Sequence, residues 1–204
     1  MQIDFTTLSL RDAYNWMADA ITPRPIAWVS TISTEGKTNL APFSFFNGIT
    51  GNPPTLMFSA VANRGGVKKD TVRNIEATGE FVVNLVPHAL TEKMNATAAL
   101  LPHGESEFEA FGIVSSPSTR VRPLRVTEAP VAFECTLHTI VPVGQGAGAA
   151  SVVFGRILAA HVNDAVLNAE GKIDPALLDT VGRLGGENYV TTRDRFTLKR
   201  PDRR

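Results

Sequence analysis

Residues 64–71 read Arg-Gly-Gly-Val-Lys-Lys-Asp-Thr. Three cations, Arg64, Lys68 and Lys69, gather there around two glycines and the expected start of a helix. Such a group can seat a phosphate monoester, which needs several donors in a concave place and close to two balancing positive charges. Gly65 and Gly66 let the backbone approach a ligand closely, and Thr71 adds a hydroxyl and a helix-start amide. Arg64 can grip with a planar fork and Lys69 with a mobile point charge. Asp70 is out of place beside an anion and is expected to cap the helix or orient a lysine. An ordinary solvated helix start uses the same residues, so by themselves they leave both readings open.

A second stretch, "NLAPFSFFNGITGNPPTLMFSA", sets Ser44, Asn47 and Ser59 among Phe43, Phe45, Phe46 and Phe58. Strand alternation places Ala41, Phe43 and Phe45 on one side and Pro42, Ser44 and Phe46 on the other. The stretch can present apolar surface, amides and hydroxyls to a planar ring. It serves equally well as a strand with core phenylalanines. Trp28 in "IAWVST" is a candidate for the same ring-binding wall, and a core role suits it too.

Other chemistries find no constellation. His88, His103, His138 and His161 are scattered without metal-ligand spacing, and no H-E-x-x-H, G-x-S-x-G or P-loop occurs. No metal site is expected. Gly144, Gly146 and Ala149 spell G-x-G-x-x-A, and Asp164 follows at the dinucleotide-fingerprint distance. That fingerprint needs a helix after the turn, whereas "SVVFGRILAAHV" reads as strand, so a flexible loop is the better reading.

The chain has 204 residues, 43% hydrophobic and 20% charged, with equal numbers of acidic and basic side chains. A single domain with a full core is expected, with no global field to draw nucleic acid or an anionic membrane. Cys135 is the only cysteine, in an expected strand, so intrachain disulfides are ruled out and a small core role is expected. The opening residues lack a signal-peptide pattern, and no stretch approaches the ~20 apolar residues of a membrane span. A cytoplasmic location is expected.

The elements that must position these residues follow from periodicity. "SLRDAYNWMADA" reads as a helix capped by Ser9, with Leu10, Ala13, Tyr14 and Met17 on one face, stopped by "TPRP". "IAWVSTIS" and "NLAPFSFFNGI" form a hairpin across "TEGK", and "PTLMFSAV" is a third strand. Lys69–Asp70–Thr71 opens a helix with Val72 and Ile75 facing the core, followed by the strand "EFVVNLV". "HALTEKMNATAALL" is helical and "ESEFEAFG" a short helix or turn. Two long strands, "APVAFECTLHTIVPV" and "ASVVFGRILAAHVN", meet at "GQGAGA". Strands dominate without alternating with helices, so a mainly β barrel with peripheral helices is expected over a doubly wound sheet.

In this order, "TPRPIAWVST", "NLAPFSFFNGITGNPPTLMFS", "KKDTVRNIEATGEFVVNLV", "APVAFECTL" and "GRLGGENY" resemble the flavin reductase-like, FMN-binding split-barrel family, in particular its flavoredoxin-like subgroup. The resemblance covers about residues 20 to 192 of one domain spanning 1–204. It implies a six-stranded Greek-key split barrel in a homodimer, with FMN near the subunit interface. By that resemblance Arg64, Lys69, Asp70 and Thr71 hold the FMN phosphate. Residues from Ala41 to Asn47, including Pro42, Ser44 and Phe45, line the isoalloxazine, and Ser59 lies beside the ribityl chain. Tyr189 is a contact near the flavin or across the dimer, and Arg24 a candidate on the substrate side. No role is implied for His103 or Glu107. The function implied is an NAD(P)H-dependent flavin reductase, in which the cofactor carries the chemistry and no catalytic side chain is required. The alternatives are an FMN electron carrier loaded by a separate reductase and an FMN oxidoreductase acting on a specific organic substrate. Expected partners are a second copy of the chain, NADH or NADPH, and an electron-acceptor protein or monooxygenase.

Overall fold

The computed structural model describes residues 1–63, 65–102 and 104–201. The first helix, α1 (Leu10–Ala20), is capped as expected: the Ser9 side chain accepts the Asp12 N–H. Strands β1 (Arg24–Pro25) and β2 (Ala27–Ile32) follow, and β2 turns into β3 (Thr38–Phe43). That turn is closed by Ser33 N–H to Lys37 O at 2.8 Å, with Gly36 at φ +85°. β4 (Phe46–Gly51) and β5 (Pro54–Val61) form the next hairpin. Helix α2 (Asp70–Thr78) ends at Gly79, whose φ of 70° few other residues adopt cheaply, and leads into β6 (Glu80–Leu85).

Two short helices come next, α3 (Thr91–Ala96) and α4 (Glu107–Ala110), then the small ribbon of β7 (Ser115–Ser116) and β8 (Arg125–Val126). The two long strands are β9 (Val131–Val143) and β10 (Ala150–Val162). The chain closes with α5 (Pro175–Leu178), β11 (Val181–Arg183) and β12 (Tyr189–Thr191).

Seven antiparallel strands form the main sheet in the order β3-β2-β6-β9-β10-β5-β4. Six were expected. The difference arises at Ser44–Phe45, where the single strand read across "NLAPFSFFNGI" bends and divides into β3 and β4. These two strands lie at opposite ends of the sheet order although only two residues separate them. The barrel therefore meets itself at a seam, and Ser59 N–H to Phe45 O at 2.8 Å carries the β4–β5 ladder one residue into the bend beside it. The bend also reverses the alternation expected beyond it, because Phe46 rather than Phe45 packs on the core beside Phe43.

The barrel interior is filled by one cluster that includes Val29, Phe43, Phe58, Phe81 and Cys135, and α2 plugs it with Val72 and Ile75. Phe81 packs into the space over Gly155, where a Cβ would meet its Cζ at 2.2 Å. This explains the glycine inside β10. The "GQGAGA" segment is the β9–β10 hairpin loop and leads to no helix. Outside the barrel a second cluster joins Trp28 and Leu40 to Met94, Phe108, Ile113 and Val181. Strand β2 is thus buried on both faces. Phe108 of α4 is 6% exposed within the single chain. The face of α1 read as core-facing behaves in the opposite way: Leu10, Tyr14 and Met17 are exposed and Ala18 is the buried residue of the helix.

A buried carboxylate latches the 117–124 loop to the barrel. Glu134 of β9 is fully buried; Oε1 accepts Thr119 N–H at 2.8 Å and Thr119 Oγ1–H at 3.1 Å, and Oε2 accepts Arg120 N–H at 2.5 Å. His161 Nε2 of β10 bonds to Oε1 as well. Burial alone raises the carboxyl's pKa, but the bonds from Thr119, His161 and Arg120 outweigh it and bring it down to about 2. The fold therefore favours the charged form. Its stabilisation is complete above the unfolded glutamate value of about 4.3 and is lost as pH falls toward 2, with a swing on the order of 3 kcal/mol. Urea unfolding between pH 7 and pH 3 should show Glu134→Gln losing about 2–3 kcal/mol at neutral pH and most of the acid-induced decline. Parallel stability–pH curves for the two proteins would show that Glu134 is no such latch.

Candidate functional site

A cleft of about 1000 Å³ opens at the barrel seam. One wall is the end of β3 and the bend: Ala41, Pro42, Phe43, Ser44 and Phe45. Ser59 and Val61 of β5 continue it. The start of α2 closes one end with Lys68, Lys69, Asp70 and Thr71, together with Gly65 of the preceding turn. Opposite, residues 97–101 and Glu107 form a further wall, and Tyr14 of α1 stands at the lip. The two stretches picked out from the sequence, one basic and one aromatic, thus meet in one cavity.

At the basic end, Lys69 is the N-cap residue of α2, and its own side chain makes no capping hydrogen bond. Its ammonium lies 5.6 Å from the Phe43 ring centroid and is half-buried, and burial lowers its pKa while Glu107 partly offsets the shift. Thr71 is 1% exposed, and its Oγ1 accepts Asn39 Nδ2–H at 3.0 Å, which ties α2 to β3. Asp70 does not cap the helix; it is the first helical residue and pairs with Arg73 at 3.4 Å. Lys68 is held by Glu76 at 2.5 Å on the exposed side. Gly66, at φ +73°, lies against the β9–β10 loop, where a Cβ would come within 3.2 Å of Gly146 C. Close approach and positive φ both call for glycine there. Arg64 lies outside the described residues.

At the aromatic end, Phe45 is wedged between Tyr14, edge-on at 6.1 Å, and Arg24, whose guanidinium lies 5.6 Å from its ring centroid. Arg24 is 5% exposed and spends its donors on the protein itself. Nη1 donates to Ala18 O and to Ile21 O (2.7 Å), Nη2 to Leu184 O (2.9 Å), and Nε to Ser44 Oγ (3.3 Å). A cation is well placed against the last carbonyls of α1. Arg24 thus lies behind the cleft wall and holds the bend from the rear.

Three further candidates also lie off the cleft surface. Trp28 is wholly buried in the second cluster, and its Nε1–H bonds to Thr97 Oγ1 at 2.9 Å; it reaches the site through Thr97, which lines it. Asn47 is exposed on β4, its Oδ1 accepting the next residue's N–H at 2.9 Å. Tyr189 stacks under Arg183 at 4.5 Å and donates its hydroxyl to Asn95 Oδ1 at 2.9 Å. Conversely, the cleft includes residues that sequence reasoning had not placed there. Asn39 carries no signal before β3 and α2 are seen to touch. Tyr14 was hidden inside an apolar helical face, and the 97–101 wall inside an expected helix that ends at Ala96.

A family model described as flavin reductase like domain matches residues 18–184. An uncharacterized protein of Aquifex aeolicus is 40% identical over 186 residues, covering 91% of this chain and 93% of its own. Among solved structures, nitrilotriacetate monooxygenase component B from Bacillus cereus is similar with a TM-score of 0.92 at 33% identity, over 97% of this chain and 98% of its own. The 2-nitrobenzoate 2-nitroreductase of Pseudomonas fluorescens is similar with a TM-score of 0.89 at 34% identity, over 98% and 96% of the two chains.

Arg24→Lys tests the support behind the bend. A lysine keeps the charge but cannot reach three separate carbonyls and a hydroxyl from one nitrogen. Unfolding should cost about 2–3 kcal/mol less, with faster amide exchange concentrated in α1. Unchanged stability and exchange would mean that the guanidinium fork holds nothing in place.

Proposed function

The chain belongs to the flavin reductase-like domain family, and from that premise we propose that it is an FMN-binding flavoprotein working as an NAD(P)H-dependent flavin reductase. The observation that carries this reading is the pairing, within one cleft, of a cationic helix start with an apolar seam wall. The two ends match the two ends of FMN, a phosphate dianion and a flat ring. The cleft volume stands at the upper end of the range for small-molecule sites, so a second ring has room to stack on the first.

Lys69, the amide end of α2 and Thr71 would hold the phosphate, with Arg64 as a further donor. Ser59 would meet the ribityl chain. Ala41, Pro42, Ser44 and Phe45 would face the ring, and their backbone would supply donors to its polar edge. When bound, FMN would supply the redox chemistry, namely acceptance of a hydride from a reduced nicotinamide. The protein's own task is to fix ring against ring and to exclude water, where orientation rather than acid–base chemistry lowers the barrier. Tyr14 and residues 97–101 complete the lining of the cleft.

A second reading has its own support. The nitroreductase is as similar in sequence as the monooxygenase component, which favours an FMN oxidoreductase that reduces an organic substrate directly. A pure electron carrier is the third. NADH or NADPH added anaerobically to the FMN-loaded protein distinguishes them. Rapid loss of the oxidised-flavin absorbance supports a reductase, its recovery on anaerobic addition of a nitroaromatic with consumption of the nitro group supports the second reading, and no bleaching supports the carrier.

The phosphate seat predicts that FMN outbinds riboflavin. Lys69→Ala should weaken FMN at least tenfold, from a charge-assisted bond of about 1.5–3 kcal/mol, and riboflavin much less. Equal losses in equilibrium dialysis would assign Lys69 to the fold instead.

The exposed row Leu10, Tyr14, Met17 and Ile21 on α1, beside the cleft, motivates a homodimer as the working unit. A stable interface of this kind buries about 2,000 Å² or more. Sedimentation of the FMN-loaded protein on dilution should show flavin released together with dissociation. A monomer that keeps FMN would refute a shared site while leaving the flavoprotein reading intact.

A further inference from the structure

A buried acid shares the cleft with the proposed phosphate seat. Glu107, the first residue of α4, is 7% exposed and lines the same cleft as Lys69. Its Oε2 accepts the Leu40 N–H at 2.7 Å, and the neighbouring Ser106 hydroxyl bonds to Thr38 Oγ1 at 2.6 Å. Together they stitch α4 to β3. A neutral amide oxygen would accept the Leu40 N–H equally well, so the stitching gives no reason for an ionisable group. Facing a ligand dianion does.

We propose that Glu107 takes up a proton as the phosphate of FMN seats beside Lys69 and returns it when the ligand leaves, so that filling the cleft is coupled to pH. This rests on reading the cleft as an FMN site. In the empty cleft, burial raises the carboxyl's pKa above the usual glutamate value; the Leu40 N–H opposes this, Asp70 adds to it and Lys69 opposes it. A dianion arriving at Lys69 adds like charge nearby and occupies the cation that favours the carboxylate. Both changes raise the pKa further. A group whose pKa is higher in the bound state makes binding weaken as pH rises between the free and bound values.

The ionisable surroundings are few. From α2, Lys69 and Asp70 face Glu107, with Arg73 paired to Asp70. β3 contributes the Leu40 N–H and the neutral Asn39, and residues 97–101 carry no ionisable side chain. Lys68 is engaged with Glu76. His103 and Arg64 lie outside the described residues, and because histidine as a residue type is the usual titrating group between pH 5 and 8, His103 is given its own control. The ligand's second phosphate ionisation, near pKa 6, acts in the opposite sense and strengthens binding as pH rises.

The test is the ratio of FMN to riboflavin affinity, by flavin fluorescence titration from pH 5.5 to 9. It compares wild type, Glu107→Gln and His103→Asn. Riboflavin cancels effects on the ring end. The wild-type ratio should fall over part of this range, approaching tenfold per pH unit. In Glu107→Gln the ratio should rise through the phosphate ionisation and then stay level, while His103→Asn follows wild type. Calorimetry of the wild type in buffers of different ionisation enthalpy should register proton uptake with FMN and none with riboflavin, and this arm does not depend on any variant folding. An unaltered profile in Glu107→Gln, a profile abolished by His103→Asn, or no proton uptake overturns the proposal but leaves FMN binding standing. An FMN affinity equal to that of riboflavin at every pH would overturn the phosphate seat and this inference together.

Discussion

A β-sheet that curls on itself must either close its hydrogen-bond ladder or leave a gap. In this chain the bend at Ser44–Phe45 decides the matter. Two residues carry the backbone from one end of the strand order to the other. The chain turns away there instead of folding back as a hairpin, so β3 and β4 do not pair and the ladder stays open between them, while Ser59 N–H to Phe45 O holds the bend to β5. The open seam is where backbone and aromatic surface can reach a ligand. The barrel interior itself is filled by Phe58, Phe81 and the α2 pair Val72 and Ile75.

A bend that does not finish its ladder needs support from outside the sheet. Arg24 provides it by linking Ser44, the last carbonyls of α1 and the carbonyl of Leu184. These belong to three separate segments, so the cleft wall, the N-terminal helix and the C-terminal β11–β12 region are placed relative to one another by one side chain. Its burial is tolerable because each donor that is used meets an oxygen, and the helix end is already negative in sense. Asn39 does the equivalent at the other end of the cleft, joining β3 to Thr71. The two ends of the site are thus fixed to the same strand, β3, which sets the distance between its cationic and apolar parts.

Much of this was legible before any coordinates. The capped first helix, the "TEGK" hairpin, the Val72 and Ile75 face and the long strand pair all follow from local periodicity and turn chemistry, and Cys135 lies in the core as its type suggests. What escaped is non-local. Alternation across "NLAPFSFFNGI" has no break to announce that Ser44–Phe45 would bend, because serine and phenylalanine both suit strands. An apolar stripe such as Leu10, Tyr14 and Met17 reads alike whether its own domain covers it or leaves it exposed. Arg24 between prolines signalled importance but not direction, since only the tertiary fold shows that its donors turn inward. Phe108 was hidden for the same reason, being buried by Trp28 and Met94 from distant segments.

On the proposed reading of the cleft as an FMN site, the division of labour within it follows from what each end would recognise. A planar ring offers broad faces and a polar edge, so backbone and phenylalanine suffice, and many sequences can provide them. A phosphate demands charge, and charge in a half-buried place is costly unless it is balanced when the site is empty. Lys69 is half-buried beside Phe43, and in the absence of an anion its nearest compensation comes from Glu107. On that reading an acid beside Lys69 suits the empty state rather than being an anomaly. It keeps the ammonium charged and in place until a ligand takes over that role. The same carboxyl must also be tolerable once the ligand is present, and protonation is the route open to a buried group that has lost its counter-charge. Balancing one cation in two states of occupancy thus accounts for why the basic cluster, which alone suggested a simple phosphate seat, is built together with an acid drawn from α4.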